Sequence, residues 1–300
     1  MLRIIFTNLP KHIVRFAILL ALLTSSRIAM ITPSQEGEEM SIDRRNRIQF
    51  EELADLYNEV RPGYPDELVD DVLALSALPS DGSILEIGCG PGNATLAFAH
   101  RGYSILAIEL GERLASLAAS NCRDYPGVVI LNSSFEEWAL QEAAFDLAIS
   151  ADAFHWIPPE IGYPKVARAL KASGSLAFFW NVHVDPLTDW SRAIEKVYQA
   201  VAPGLDNPDR GLSADWLKGV IVENISNSGA FGDVTVRQYR GWITLTTERY
   251  LKLLRTYSGH RGLDEAIREK LYAGIKGVIE QNGGQVIRPQ LTVLFHARRK

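Results

Sequence analysis

ILEIGCGPGNATLAFA, residues 84–99, decides how this chain is read. The apolar ILEI is the right length for a buried strand, and NATLAFA resumes with helical spacing. Between them Gly88, Gly90 and Gly92 break the chain at alternate positions. A strand that passes through a glycine turn into a helix N-terminus is the entry to a nucleotide-type site, because glycine lets the backbone approach a ligand closely. The spacing separates two kinds of occupant. A dinucleotide turn reads G-x-G-x-x-G, and its third glycine lets helix and strand close up. Here the spacing is G-x-G-x-G, and Asn93 stands where that third glycine belongs. Glu86, two residues before Gly88, would repel a pyrophosphate and suits a ligand with a cation near the turn.

Upstream of this stretch, Ile48, Leu53 and Leu56 give Arg47 to Tyr57 a helical spacing, which RPGYP at 61–65 breaks. A second helix spans Asp66 to Ser76, with Leu68, Val69, Val72 and Leu73 on one face. Downstream, strand and helix signals alternate. YSILAIEL (103–110), VVILNSS (128–134), FDLAISADAF (145–154) and SLAFFWNV (175–182) read as strands. NATLAFAHRG, ERLASLAASNC and IPPEIGYPKVARALKASG read as the helices among them. Five apolar strands separated by helices specify a doubly wound parallel sheet. After Val182 come three helix-like stretches in 183–230, a strand-like alternation over 233–246, helices over 247–284 and a closing strand over 289–298. The expectation is an α/β domain over 40–300 with a seven-stranded, mostly parallel sheet. Its cofactor-binding core covers 45–182, and the helical insertions form a lid.

Composition narrows the function classes. Charged residues make up 22% and hydrophobic ones 47%, as in an ordinary globular chain. With 36 acidic and 31 basic residues the net charge is -5, so no basic field draws in phosphate backbones and nucleic acid is not the expected partner. Two cysteines, Cys89 and Cys122, make neither a disulfide framework nor a zinc site, and no metal is expected. Residues 1–39 differ from the rest. A basic start, the apolar run FAILLALL and small residues after it make a passable secretory signal, too short to span a bilayer. The competing reading takes Met40 as the natural start of a cytoplasmic protein, with 1–39 a disordered or mis-started extension. No stable membrane insertion is expected, although a genuine signal at 1–39 would make the protein exported or membrane-associated.

Glu109 ends the second strand, 17 residues after Gly92. An acid there can accept hydrogen bonds from both ribose hydroxyls of a nucleoside, or cap the following helix. The fourth strand's end, from Ala151 into SADAFHWI (150–157), faces the ligand crevice of an open α/β sheet. There His155 is either a general base or, with Trp156, part of the pocket wall.

The acid-x-Gly-x-Gly-x-Gly turn followed by Glu109 resembles the Rossmann-like class I S-adenosylmethionine-dependent methyltransferases. Tyr57, Arg61 to Pro65, Ala153 to Trp156 and Thr256-Tyr257-Ser258 resemble a small-molecule subgroup related to trans-aconitate methyltransferase-like proteins. The resemblance covers about residues 45–298. It implies S-adenosyl-L-methionine as cofactor, its amino-acid end wrapped by Glu86, Gly88, Cys89, Gly90 and Gly92 and its ribose by Glu109 and Leu110. Members often carry an aspartate for the adenine at the third strand's end. This chain instead has Ser134, Phe135 and Glu136 there: either the Ser134 hydroxyl, a backbone N–H and Phe135 packing hold the adenine or Glu136 supplies the acid, with Glu136 as an exposed first residue of the next helix the competing reading. Tyr57 and Arg61 fold over the cofactor in such proteins, Arg61 binding a carboxylate or forming a structural ion pair. Tyr64, His155, Trp156, Trp180, Trp190, Tyr257 and His260 are the aromatic candidates for the acceptor pocket. The expected activity is methylation of a small molecule on oxygen, with a carboxylate as an acceptor that needs no base. Carbon or nitrogen methylation, and a cofactor-binding regulatory module without turnover, stay open; an NAD oxidoreductase fits poorly with Asn93.

Overall fold

The computed structural model describes residues 53–184, 187–205, 207–208 and 214–300. The expectations for residues 1–39 and for the first turns of the helix at 47–52 lie outside them. By internal contacts the chain divides into two units, Met1–Ile42 and Asp43–Lys300, and all the described residues belong to the second.

Its seven strands form one sheet in the order β3-β2-β1-β4-β5-β7-β6. They are β1 (Ser83–Ile87), β2 (Ser104–Glu109), β3 (Val128–Asn132), β4 (Phe145–Ala151), β5 (Leu170–His183), β6 (Thr235–Thr246) and β7 (Gln285–Arg298). The first five are parallel, and β7 runs antiparallel to both of its neighbours, β5 and β6. This is the fold of class I methyltransferases. The strand order reverses beside β1, and ligands of open α/β sheets bind at such a switch point, outside the carboxyl ends of the strands.

Alternation along the strands builds a core on each face. On one face Leu85, Ile87, Phe178 and Phe295 join Tyr163 of α5 (Pro159–Ala169) and Ile221 and Ile225 of α7 (Ala214–Asn227). On the other, Ile84, Ile149 and Phe179 pack with Leu68 and Val72 of α2 (Asp66–Ser76) and Phe98 of α3 (Asn93–Ala99). α4 (Glu112–Asn121) links β2 to β3. A third cluster belongs to the cap. There α1 (Ala54–Val60), α6 (Asp189–Val201), α8 (Thr247–Arg255) and α10 (Glu265–Gln281) bury Val60, Ile194, Tyr250, Leu254, Leu271 and Ile275. The four-residue α9 (Ser258–Arg261) lies between α8 and α10.

Three details differ from the sequence reading. The helix after β4 stops at Ala169, and β5 begins at Leu170 rather than 175, because Leu170 pairs with Phe145 ahead of a register shift that brings Ser175 opposite Leu147. The closing strand begins at Gln285, pairing with Thr246 in a ribbon that outruns the rest of the sheet. α7, grouped by sequence with the cap, buries Ile221 and Ile225 against the sheet.

Candidate functional site

A cleft of about 980 Å³, counting its open mouth, lies where β1, β2 and β4 end. Its wall includes Gly88, Cys89, Gly90, Pro91, Glu109, Leu110, Phe135, Ala151 and Trp156. Gly88, Gly90 and Gly92 all adopt positive φ, between 56° and 94°, which L side chains resist. At Gly88 a second constraint applies, since a Cβ there would stand 2.5 Å from that of Ala153. At Gly90 nothing lies within 4 Å of where a Cβ would be, so the missing side chain leaves open cleft.

Glu109 ties this turn to the end of β2. Its Oε2 accepts from the Gly90 N–H and its Oε1 from the Gly111 N–H, both at 2.8 Å. It therefore does join the entry to α4, as one reading of the sequence has it, while still facing the cleft. Cys89 lines the cleft with its thiol pushed well up by burial, which makes it a packing group and not a nucleophile. Ser134 also lines it, yet its hydroxyl donates to Glu137 Oε2 and accepts from the Glu137 N–H, capping a turn. Phe135 stacks with Trp138, their centroids 5.9 Å apart. Glu136 lines the cleft as well.

A second cavity of about 550 Å³ adjoins the first, with Tyr57, Tyr64, Asn93 and Asp152 shared between their walls. Asp152 follows directly on β4 with φ at 54°, an uncommon conformation outside glycine and often found at functional sites. Its Oδ1 accepts from the Asn181 N–H at 2.9 Å, and its Oδ2 from the Tyr64 hydroxyl at 2.9 Å and Asn181 Nδ2 at 3.3 Å. Asn181 Oδ1 in turn accepts from Gln290 and Thr292 of β7. Burial raises the Asp152 carboxyl above its ordinary range, while these hydrogen bonds and the Arg61 charge pull it back. The sequence reading passed over Asp152, Asn181, Arg288 and Gln290. The signal for Asp152 was available, since it is the first residue past the fourth strand.

Arg61 lines the second cavity and is held without an acid among its hydrogen-bond partners. Its Nε donates to Thr256 Oγ1 and its Nη2 to the Thr256 carbonyl, and the guanidinium lies 4.8 and 4.7 Å from the Tyr57 and Tyr257 ring centroids. This sandwich fixes a cation in place. Tyr257 shares the second cavity, whereas Trp156 belongs to the first.

The remaining candidates fall elsewhere. Glu86 is fully buried in β1, outside both linings, on the face that carries Ile84 and therefore packs against α2 and α3. Burial pushes its carboxyl up to about 8, so the protein without ligand favours its protonated form at pH 7. Gly92 shapes the turn from outside both linings. His155 and Trp180 also stand outside, bonded to each other, with Trp180 Nε1 donating to His155 Nδ1 at 3.1 Å. The neutral imidazole then carries its proton on Nε2 and has no ring lone pair left to take one from a substrate. His260 is 1% exposed in the cap, stacked on Tyr272, with Nε2 3.0 Å from the Tyr198 hydroxyl. Trp190 packs on the same cap cluster. The aromatic character of this region was legible; which rings face a cavity was set by long-range packing.

Residues 85–178, which supply most of the cleft, match the family model for the methyltransferase domain. The chain carries a methyltransferase domain. It is 31% identical over 160 residues to an uncharacterised methyltransferase of Mycobacterium tuberculosis, a match covering 53% of this chain and 62% of the relative. This chain thus covers less than two thirds of that relative's length. A trans-aconitate 2-methyltransferase of Variovorax paradoxus is 32% identical over 108 residues, or 36% of this chain and 41% of the relative. Among solved structures, one described as a type II methyltransferase from Anaeromyxobacter dehalogenans superposes with a TM-score of 0.54 at 22% identity, covering 80% of this chain and 96% of that one. No group of His, Cys, Asp or Glu positioned to hold a metal occurs among the described residues. Nor is any helix among them long and apolar enough to cross a membrane.

Proposed function

We propose that this chain is an S-adenosylmethionine-dependent methyltransferase acting on an oxygen of a small molecule, with a carboxylate as the accepting group. The observation that carries the reading is the pair of adjoining cavities at the switch point, one floored by the glycine turn and Glu109, the other entered past Tyr64 and Asp152. The residues fit the cofactor, because the open space above Gly90 is a cradle that any side chain there would fill. Gly88, Cys89 and Gly90 would hold its amino-acid end, Glu109 and Leu110 its ribose, and Phe135 its base, with Ala151 against the centre and Tyr57 closing over it. When bound, it would supply an electrophilic methyl on a sulfonium, open to in-line attack by an acceptor oxygen that forms the new oxygen–carbon bond while the thioether leaves with the carbon–sulfur electron pair.

The protein's part is to align and dehydrate the two reactants. Asp152, held by three donors, fixes Tyr64 and Asn181 at the junction of the cavities. A carboxylate acceptor, which needs no base, suits a junction whose one carboxylate among the residues shared by both linings, Asp152, already accepts three hydrogen bonds. Similarity to a trans-aconitate 2-methyltransferase supports the same acceptor chemistry. The test is a screen of carboxylic acids, phenols and amines with methyl-labelled cofactor. Base-labile labelled ester from carboxylic acids is expected; label confined to phenols or amines, or no label at all, would overturn the proposal.

A further inference from the structure

The connection from β3 to β4, residues 133–144, contains neither helix nor strand, yet it supplies Ser133, Ser134, Phe135 and Glu136 to the first cleft. Main-chain carbonyls in a loop without regular structure need partners from elsewhere. Lys165, on α5, provides two of them with one. Its Nζ donates to the Glu136 carbonyl at 2.9 Å and to the Trp138 carbonyl at 2.7 Å. The same ammonium lies 5.4 Å from the Phe135 ring centroid and 5.6 Å from that of Trp138, two buried rings stacked on each other. Trp138 in turn meets Phe145 at the start of β4. Burial lowers the Lys165 ammonium from its ordinary value while the Glu136 charge opposes the shift, so the cation is partly stripped of water. Its hydrogen bonds and ring contacts gain strength from that.

Lys165 itself is not among the residues of the cleft lining, so it acts from behind the wall. Ser134, at the place where a side chain would read a base, has its hydroxyl committed to Glu137 as donor and as acceptor. The wall that remains for a base is the Phe135 ring, Glu136 and the main chain that joins them, and Lys165 holds this segment at both ends. We infer that Lys165 is a positioning residue for base selection, fixing residues 135–138 in the arrangement that receives adenine. This deepens the proposed function and rests on its cofactor assignment, whatever the acceptor. Selection of the base then depends on a cation that never touches it.

The experiment compares calorimetric binding of S-adenosylhomocysteine and S-inosylhomocysteine to wild type, Lys165→Met and Lys165→Arg. The second ligand presents a carbonyl where adenine presents an amino group, so the pair reports how the base edge is read. Wild type should prefer the adenine ligand by roughly tenfold or more. Lys165→Met should bind S-adenosylhomocysteine more weakly and narrow that preference to about threefold or less. Lys165→Arg, whose guanidinium can still donate to both carbonyls, should keep most of the preference. Where Lys165→Met fails to fold, Lys165→Gln gives the same comparison with the charge removed and a donor kept. A full adenine preference in the folded Met or Gln variant would overturn the inference even if its unfolding midpoint falls, because a purely structural lysine changes stability without changing base selection. Equal wild-type affinity for the two ligands would overturn it as well. Wild type that binds neither ligand would instead sink the cofactor assignment on which the inference rests.

Discussion

At the scale of single residues, Glu109 has the most demanding position in the cleft. Its two oxygens accept backbone N–H groups of Gly90 and Gly111, which hold the carboxylate in the cleft wall. Glu109→Ala should weaken S-adenosylhomocysteine binding by roughly 1.5–3 kcal/mol, read by calorimetry; an unchanged affinity would remove Glu109 from the site. The same two amides explain why it was legible from its place at the end of the second strand. Glu86 was not. Its spacing to Gly88 suggested a counter-charge at the turn, but strand alternation turns it to the α2 and α3 face, where burial neutralises it. Only the direction of a side chain separates these two outcomes, and a linear motif does not record it.

At the scale of elements, the strand–turn–helix of residues 84–99 behaves as its glycines require. Gly88→Ala must accept φ of 71° and a 2.5 Å approach to Ala153, so it should cost about 2 kcal/mol or more in urea unfolding. Gly219 provides the contrast. It lies exposed within α7, with nothing within 4 Å of a built Cβ, and Gly219→Ala should stabilise by roughly 0.5–1 kcal/mol. Equal midpoints for the two variants would contradict this account of the turn. The five parallel strands could be read because each is an apolar run closed by turn residues. The start of β5 could not, since Leu170 to Gly174 carry a helical spacing that pairing with β4 overrides. The place of β7 between β5 and β6, and of α7 on the sheet, likewise arise from contacts distant in sequence.

For the whole molecule, buried titratable groups set the pH window of stability. Burial lowers His260 and His296 to about 4, so the folded state holds them neutral and stability is lost as pH falls from about 6.5 towards 4. Burial raises Glu86 to about 8, so the folded state keeps a proton that the unfolded chain releases, and stability is lost as pH rises towards 8. Between pH 7.5 and 8.5, where both histidines are largely neutral in either state, the loss traced to Glu86 should be roughly 0.5–1 kcal/mol. Glu86→Gln should flatten that limb of the denaturation midpoint against pH; an unchanged limb would place the cause elsewhere. The first cleft and its adjoining cavity unite residues from α1 to β7, so the glycine turn marks the floor of the first in the sequence while the wall of the second depends on contacts far apart along the chain. The central claim is that the first cavity holds S-adenosylmethionine, and calorimetric titration tests it most directly. S-adenosylmethionine and S-adenosylhomocysteine should each bind one per chain in the micromolar range with no heat from NADH, and tight NADH binding with none for the sulfonium cofactor would contradict it.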